Sequence, residues 1–290
     1  MTRTIHVSTG GRARRPVLST VDWLVDAGLD AIELSSGVGG EGLLDGLRAR
    51  RSRARFQVHN YFPPPDVPFV LNLATRDPEL GRVGMEHCRR AMEWAVELGT
   101  PRYAFHAGYL LDPRVEQLGR KLDRANLVPR AEGRAIFVDR VGELAEHARR
   151  LGCELLIENN VVAAFNLESF GCDPFLCSEP EETREILDAL PDSVGLLIDV
   201  AHLKVSAKTL GYDPHRLFEL CGDRVRGYHL SDNDGTADSN HPFTADSWFW
   251  PHLDPRVDYV TLEVYVDDAA VLREQVLLAR RMLGDEGDRD

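Results

Sequence analysis

The feature that most constrains this chain is an ordered alternation of two hydrophobic patterns. Short β-rich apolar runs recur at Ile5 to Ser8, Ala31 to Ser35, Arg55 to Asn60, Tyr103 to His106, Glu154 to Glu158, Gly195 to Val200, Gly227 to Ser231 and Tyr259 to Tyr265. Stretches with helical spacing fill the gaps: Leu18 to Ala27, Gly42 to Arg50, Pro78 to Leu98, Arg134 to Leu151, Pro180 to Leu190, Pro214 to Cys221 and, after the last run, Asp268 to Leu283. Strands alternating with helices specify a parallel sheet covered by helices. ELLIE at 154–158 and GLLIDV at 195–200 are nearly continuous apolar runs, as strands buried on both faces require. Eight units in 290 residues, about 36 residues each, match a single closed (β/α)8 barrel. The barrel is expected over 1–283, with 284–290 as an acidic tail.

Charge narrows the partners. Lys and Arg number 34 against 47 Asp and Glu, a formal net charge of −13. Such a chain repels phosphate backbones and anionic lipid, so nucleic acid and membrane are disfavoured. No apolar run approaches the roughly 18 residues of a membrane helix, and MTRTIHVSTGGRARRP lacks the apolar core of a signal peptide, which predicts a soluble, cytoplasmic protein. The five cysteines (88, 153, 172, 177, 221) are odd in number and form no CxxC pair, which fits a reducing compartment. A homo-oligomer is compatible with all of this.

Three motifs invite readings that their context weakens. Gly37 to Gly42 satisfies GxGxxG between a strand and a helix, but the next strand ends in Asn60 where a dinucleotide site needs an acidic residue; a glycine-rich turn is the better reading. Arg48, Arg50, Arg51, Arg53 and Arg55 precede a strand and therefore belong on the face away from strand C-termini. Gly10 to Arg15 follows the first strand, so it lies on the same face as the other post-strand loops. There it could meet a substrate anion, although a solvated loop is favoured.

The chemistry is carried by lone ionisable residues on apolar strands. Glu158 closes ELLIE, Asp199 closes GLLID, His229 closes VRGYH, and Glu263 lies within YVTLEVY. A charge there costs several kcal/mol if buried unpaired, and a divalent cation is an effective shared partner for three carboxylates and an imidazole. His59 and His106 close the third and fourth runs, and His202 follows Asp199 by three residues. Asn60 and Trp248 are further candidate substrate contacts. His87, His147 and His215 fall on expected helices and read as structural or surface residues. Long segments follow His106, Glu158 and His229; in a parallel barrel all three open on the face that carries active sites.

Taken in order, VHNYFPPPDVPFVLNLATRDPELGRVGMEHCRRAMEWAVELG, FHAG, LLIEN, LLIDVAH, YHLSDNDG and TLEVY resemble the xylose isomerase-like TIM barrels. That superfamily holds sugar and sugar-phosphate isomerases and epimerases, related dehydratases and the endonuclease IV group. The resemblance implies that Glu158, Asp199, His229 and Glu263 form a shared metal set and that His202 approaches a substrate oxygen. It implies that His59 and His106 match ligands of an additional metal in the endonuclease IV group. Members often carry D-x-H followed by G-x-G after the seventh strand. Here Asp238-Ser-Asn-His241 has an extra residue and runs into PFTADSWFW, which leaves Asp238 and His241 open as ligands and suggests a reshaped lid with Trp248, Phe249 and Trp250.

The expected function is a metal-dependent isomerase or epimerase of a sugar or sugar phosphate, with Glu158 and Glu263 moving protons through an enediolate and His202 holding substrate oxygen. The metal stays open among Mn, Zn, Mg, Co and Fe, and no organic cofactor is expected. Competing readings are an endonuclease IV-like multinuclear phosphoester hydrolase, a dehydratase or lyase, and a non-catalytic sugar-binding barrel.

Overall fold

The computed structural model describes residues 3–284. Its strands are β1 (Ile5–Ser8), β2 (Ala31–Leu34), β3 (Arg55–His59), β4 (Arg102–His106), β5 (Glu154–Glu158), β6 (Val194–Asp199), β7 (Val225–Leu230) and β8 (Tyr259–Leu262). They pair in sequence order, all parallel, and β1 closes on β8. The covering helices are α1 (Val17–Asp26), α2 (Leu43–Arg50), α3 (Pro78–Glu97), α4 (Arg130–Leu151), α5 (Ala164–Phe170), α6 (Pro180–Ala189), α7 (Val200–Leu210), α8 (His215–Cys221) and α9 (Ala269–Met282). The expected single (β/α)8 barrel is therefore the fold. Among the described residues, no helix is long and apolar enough to cross a membrane. The acidic tail expected at 284–290 lies, past Gly284, outside the described residues.

Apolar residues divide into layers. The large core cluster lies between the strands and their helices, with Val58, Phe105, Ile157 and Ile198 facing Ala91, Phe137 and Leu203. A separate buried group, Ala104, Leu156, Leu197 and Tyr259, fills the barrel interior. Side chains alternate along a strand, so two residues further on the same face points inward again. His106, Glu158 and Asp199 sit two positions beyond Ala104, Leu156 and Leu197, stacked on that apolar plug. Gly227 on β7 makes the plug fit: a Cβ there would lie 2.4 Å from the Tyr259 ring and 2.7 Å from Leu197.

Register then places the ionisable residues side by side. His106 is the β-ladder partner of Glu158, Asp199 is the partner of His229, and His229 is the partner of Thr261. Glu263 lies one residue past β8, although its N–H still donates to Leu230 O at 3.0 Å.

Two helices exceed the expectation. α5 lies in the long segment after Glu158, and α7 starts at Val200 with no loop after Asp199. The Asp199 side chain caps α7, with Oδ1 accepting from His202 N at 2.7 Å. Thus the D-x-x-H spacing is a helix N-terminus as well as a pair of site residues. The β7–β8 connection carries only a short 3-10 turn at Trp250–His252. All five cysteines are free, with Cys172 exposed and Cys177 buried.

Candidate functional site

The site is built on fully buried carboxylates at strand ends. Glu158, Asp199 and His229 are 0% exposed, His59 2%, His202 3% and Glu263 6%. His59 Nε2 lies 3.2 Å from Glu158 Oε2, and His106 Nδ1 lies 3.6 Å from the same oxygen. His229 Nδ1 faces Glu158 Oε1 at 3.4 Å, Glu263 Oε1 at 3.7 Å and Asp199 Oδ2 at 3.9 Å. These atoms group into overlapping ligand triads, among them His59–His106–Glu158, Glu158–Asp199–His202 and Asp199–His229–Glu263, each with its atoms within 4.8 Å of one another.

Whether this set fits a cation can be judged from its own unsatisfied atoms. Both Glu158 oxygens, Asp199 Oδ2 and His229 Nδ1 are buried and have no hydrogen-bond partner. Buried polar groups are almost always paired, so several orphans facing one point mark a place for a shared positive charge. Oxygen and imidazole donors in this mixture suit zinc, manganese, iron, cobalt or magnesium.

Proton affinities show the same demand for positive charge. Burial raises the Glu158 carboxyl, but the imidazoles of His106, His229 and His59 outweigh it and hold Glu158 well below the usual range. Burial lowers His229, yet Glu33, Glu263 and Glu158 push it well above the usual histidine value. Burial pushes Asp199 up to about 6 and Glu263 up to about 7. At His106 burial outweighs the attraction of Glu158 and brings the imidazole down to about 4.

Hydrogen bonds orient the remaining groups. His202 Nδ1 faces Asn159 O at 3.0 Å; a carbonyl only accepts, so Nδ1–H donates and Nε2 is left toward Asp238 Oδ2 at 3.3 Å. Asn159 in turn exchanges two bonds with the Asp199 backbone. Asn160 Nδ2 lies within bonding distance of the carbonyls of Ala107, Gly108 and Leu176, tying the loop after β5 to the loop after β4. Ser8 Oγ approaches Glu263 Oε1 at 3.3 Å and Ser35 Oγ at 2.8 Å.

Above the ionisable floor lies a cavity of about 360 Å³. His59, Asn60, His106, His202, Asp238 and Glu263 line its base. Tyr265 and the Gly10–Gly11 turn form one wall; a Cβ at Gly10 would meet the Tyr265 hydroxyl at 2.3 Å. The opposite wall is more apolar and includes Tyr109, Leu118, Phe165 and Phe175.

Some sequence candidates fall elsewhere. His241 is exposed, its backbone pairs in an antiparallel bridge with Asp232, and its Nδ1 lies 3.4 Å from Ser239 Oγ. Trp248 packs against Phe218, Phe249 and His252 and does not line the cavity. Arg12 turns inward to the Ser8, Gly10 and Val266 carbonyls and lies over Trp23, while Arg15 pairs with Asp267 at 3.1 Å. Four of the five arginines in the run at 48–55 pair with acids: Arg48 with Asp45 and Glu97, Arg50 with Asp22, Arg53 with Asp26, Arg55 with Asp30.

One central residue was missed from the sequence. Glu33, in the middle of β2, is 0% exposed and bonds His229, Tyr259 and Thr261. Its signal was the one that identified Glu158, a lone acid in an apolar strand (AIEL), but it lies mid-strand rather than at a strand end.

The class defined by this fold is a parallel eight-stranded barrel with an ionisable site at its strand C-termini. The xylose isomerase-like TIM barrel family model matches residues 21–262, and the chain belongs to that family. It is similar to a fructoselysine 3-epimerase of Escherichia coli O157:H7, 22% identical over 247 residues that cover 80% of this chain and 78% of the relative. Among solved structures it is similar to a D-tagatose 3-epimerase-like protein, with a TM-score of 0.69 and 18% identity over 97% of this chain and 99% of that one. It also resembles a Thermus thermophilus protein soaked with ZnCl2, with a TM-score of 0.63 and 23% identity over 99% of this chain and 100% of that one.

Proposed function

We propose that the chain is a divalent-metal-dependent isomerase or epimerase of a small sugar or sugar phosphate, acting by proton transfer next to a carbonyl. The observation that carries this reading is the convergence of Glu158, Asp199, His229 and Glu263 around buried atoms that no protein group satisfies. The epimerase relative and a cavity of about 360 Å³ support a small carbohydrate as ligand.

Glu158, Asp199, His229 and Glu263 would hold the cation. When bound, a divalent cation supplies Lewis-acid stabilisation of the negative charge that develops on the substrate oxygen. Proton movement falls to the chain itself. Glu158 comes from β5 and Glu263 from the residue after β8, so they address a substrate from different directions. One takes the proton beside the carbonyl, and the other returns a proton to a neighbouring position or the opposite face. His202, fixed through Asn159, directs Nε2 toward a substrate oxygen. Tyr265 lies against Gly10 and Gly11 and forms one wall of the cavity a substrate would occupy.

The test is solvent exchange. Ketoses or their phosphates incubated with the metal-loaded protein in heavy water should gain deuterium at the carbon beside the carbonyl. Glu263→Gln should slow that exchange by about 10²–10⁴-fold with the fold intact. Absence of exchange from a broad ketose panel would sink the reading.

A second reading is favoured by one observation, the His59–His106–Glu158 triad, which shares Glu158 with the first set and could hold another cation beside the first. Two adjacent cations suit phosphoester hydrolysis. Phosphate release from simple phosphoesters without sugar exchange would select it, and dehydrated products would select a lyase.

A further inference from the structure

We propose that Glu33 is a positioning residue for the centre: it fixes the His229 ring so that Nδ1, and not Nε2, faces the cation. The inference rests on His229 being a ligand and extends that reading to a residue on β2, three strands away around the barrel.

Three groups converge on a single oxygen. Glu33 Oε2 lies 3.1 Å from His229 Nε2, 2.6 Å from the Tyr259 hydroxyl and 2.8 Å from Thr261 Oγ1. A carboxylate oxygen only accepts, so His229 Nε2 carries its hydrogen toward Glu33. The two ring nitrogens point in diverging directions. With Nε2 tied to Glu33, Nδ1 is directed at the oxygens of Glu158, Glu263 and Asp199, where it has no hydrogen-bond partner.

The anchor itself is held firmly. Thr261 is the ladder partner of His229, and Tyr259 lies two residues earlier on the same face of β8. The Tyr259 ring reaches Glu33 only because position 227 is glycine. Glu33, Thr261, Tyr259 and His229 are all 0% exposed, so in the intact protein these bonds are made without competition from bulk water. Glu33, His59 and His229 also bring ligand atoms within 4.8 Å of one another, and Glu33 Oε1 has no partner, but Oε2 is taken by three protein donors on the Nε2 side of the ring, so we place Glu33 behind His229 rather than on the cation at Nδ1.

The test uses zinc as probe, with metal-stripped wild type, Glu33→Ala and the isosteric Glu33→Gln. Competition titration gives zinc affinity, and ¹⁵N NMR of the zinc-loaded, histidine-labelled protein gives the coordinating nitrogen. In the wild type, His229 should coordinate through Nδ1 and show a slowly exchanging Nε2–H. Glu33→Ala should bind zinc about 10- to 100-fold more weakly and lose the slow exchange. Glu33→Gln, whose carbonyl can accept the same three bonds, should keep the Nε2–H and bind with intermediate affinity.

Zinc affinity in both variants within about twofold of wild type, or His229 coordination through Nε2, would overturn the assignment. If Glu33→Ala does not fold, Glu33→Gln decides alone: unchanged affinity or a lost Nε2–H signal contradicts the proposal. A wild type that takes up no zinc would overturn the metal reading and this assignment together.

Discussion

His59 and Glu158 face each other across adjacent levels of the barrel, with His59 Nε2 3.2 Å from Glu158 Oε2. His106 approaches the same oxygen from β4, while the other oxygen of Glu158 turns toward His229. One carboxylate thus stands between two candidate ligand sets.

Metal stoichiometry follows from that placement. If the His59–His106–Glu158 triad holds a second cation, wild type should take up about two divalent ions per chain and the double variant His59→Ala, His106→Ala about one, counted by native mass spectrometry. Unchanged stoichiometry with a raised KM would instead assign both histidines to substrate binding.

Metal uptake should release protons. The metal-free site holds His229 well above its usual pKa, and Asp199 and Glu263 at about 6 and 7, so an arriving cation must displace protons. Affinity should therefore rise with pH between about 5 and 8, by about tenfold per unit for each proton released. Calorimetry in buffers of different ionisation enthalpy reads the count; a pH-independent affinity would contradict it.

Away from the cluster, His6 should make the metal-free chain acid-sensitive. It is 6% exposed, and burial lowers its pKa to about 4. A depressed histidine pKa contributes stability that is complete above the unfolded value of 6.5 and is lost as pH falls through the folded value. The stability advantage of wild type over His6→Gln should shrink by about 3 kcal/mol between about pH 7 and pH 4 in urea titrations. A difference that stays flat over that range would refute the assignment.

Duplex DNA containing an abasic site should not bind with submicromolar affinity at physiological salt. The net charge is −13, and four of the five arginines in the densest run pair with acids. Tight, salt-sensitive binding in a fluorescence anisotropy titration would promote the hydrolase reading.

Much of the architecture was legible because barrel strands are buried on both faces and stand out as apolar runs. Every expected strand lies where the structure has one, with ends displaced by up to three residues at β8, where Val264 carries the apolar pattern past Leu262. α7 escaped notice because VAHLKVSAKTL follows β6 with no turn residue between them; the only local signal was Asp199 as a cap. Glu158, Asp199, His229 and Glu263 were legible as lone ionisable groups on apolar strands, whereas Glu33, the same signal placed mid-strand, was not. His241 and Trp248 were not, because loop conformation depends on distant partners: Asp232 bridges His241 through the backbone and accepts from Ser247 Oγ at 2.7 Å.

The direct passage from β6 into α7 leaves one quadrant of the rim without slack. An insertion between Asp199 and His202 would displace a helix cap, a carboxylate oxygen and an imidazole in a single event. Apart from Asn159, Asn160 and Asp238, which orient His202 and tie the loops after β4 and β5 together, the segments 107–129, 159–179 and 231–258 carry no such duty and can lengthen or change composition. New substrate preferences in this lineage should therefore arise by remodelling those three segments, while the Asp199–His202 junction keeps its length and acts as the fixed reference against which every bound molecule is aligned.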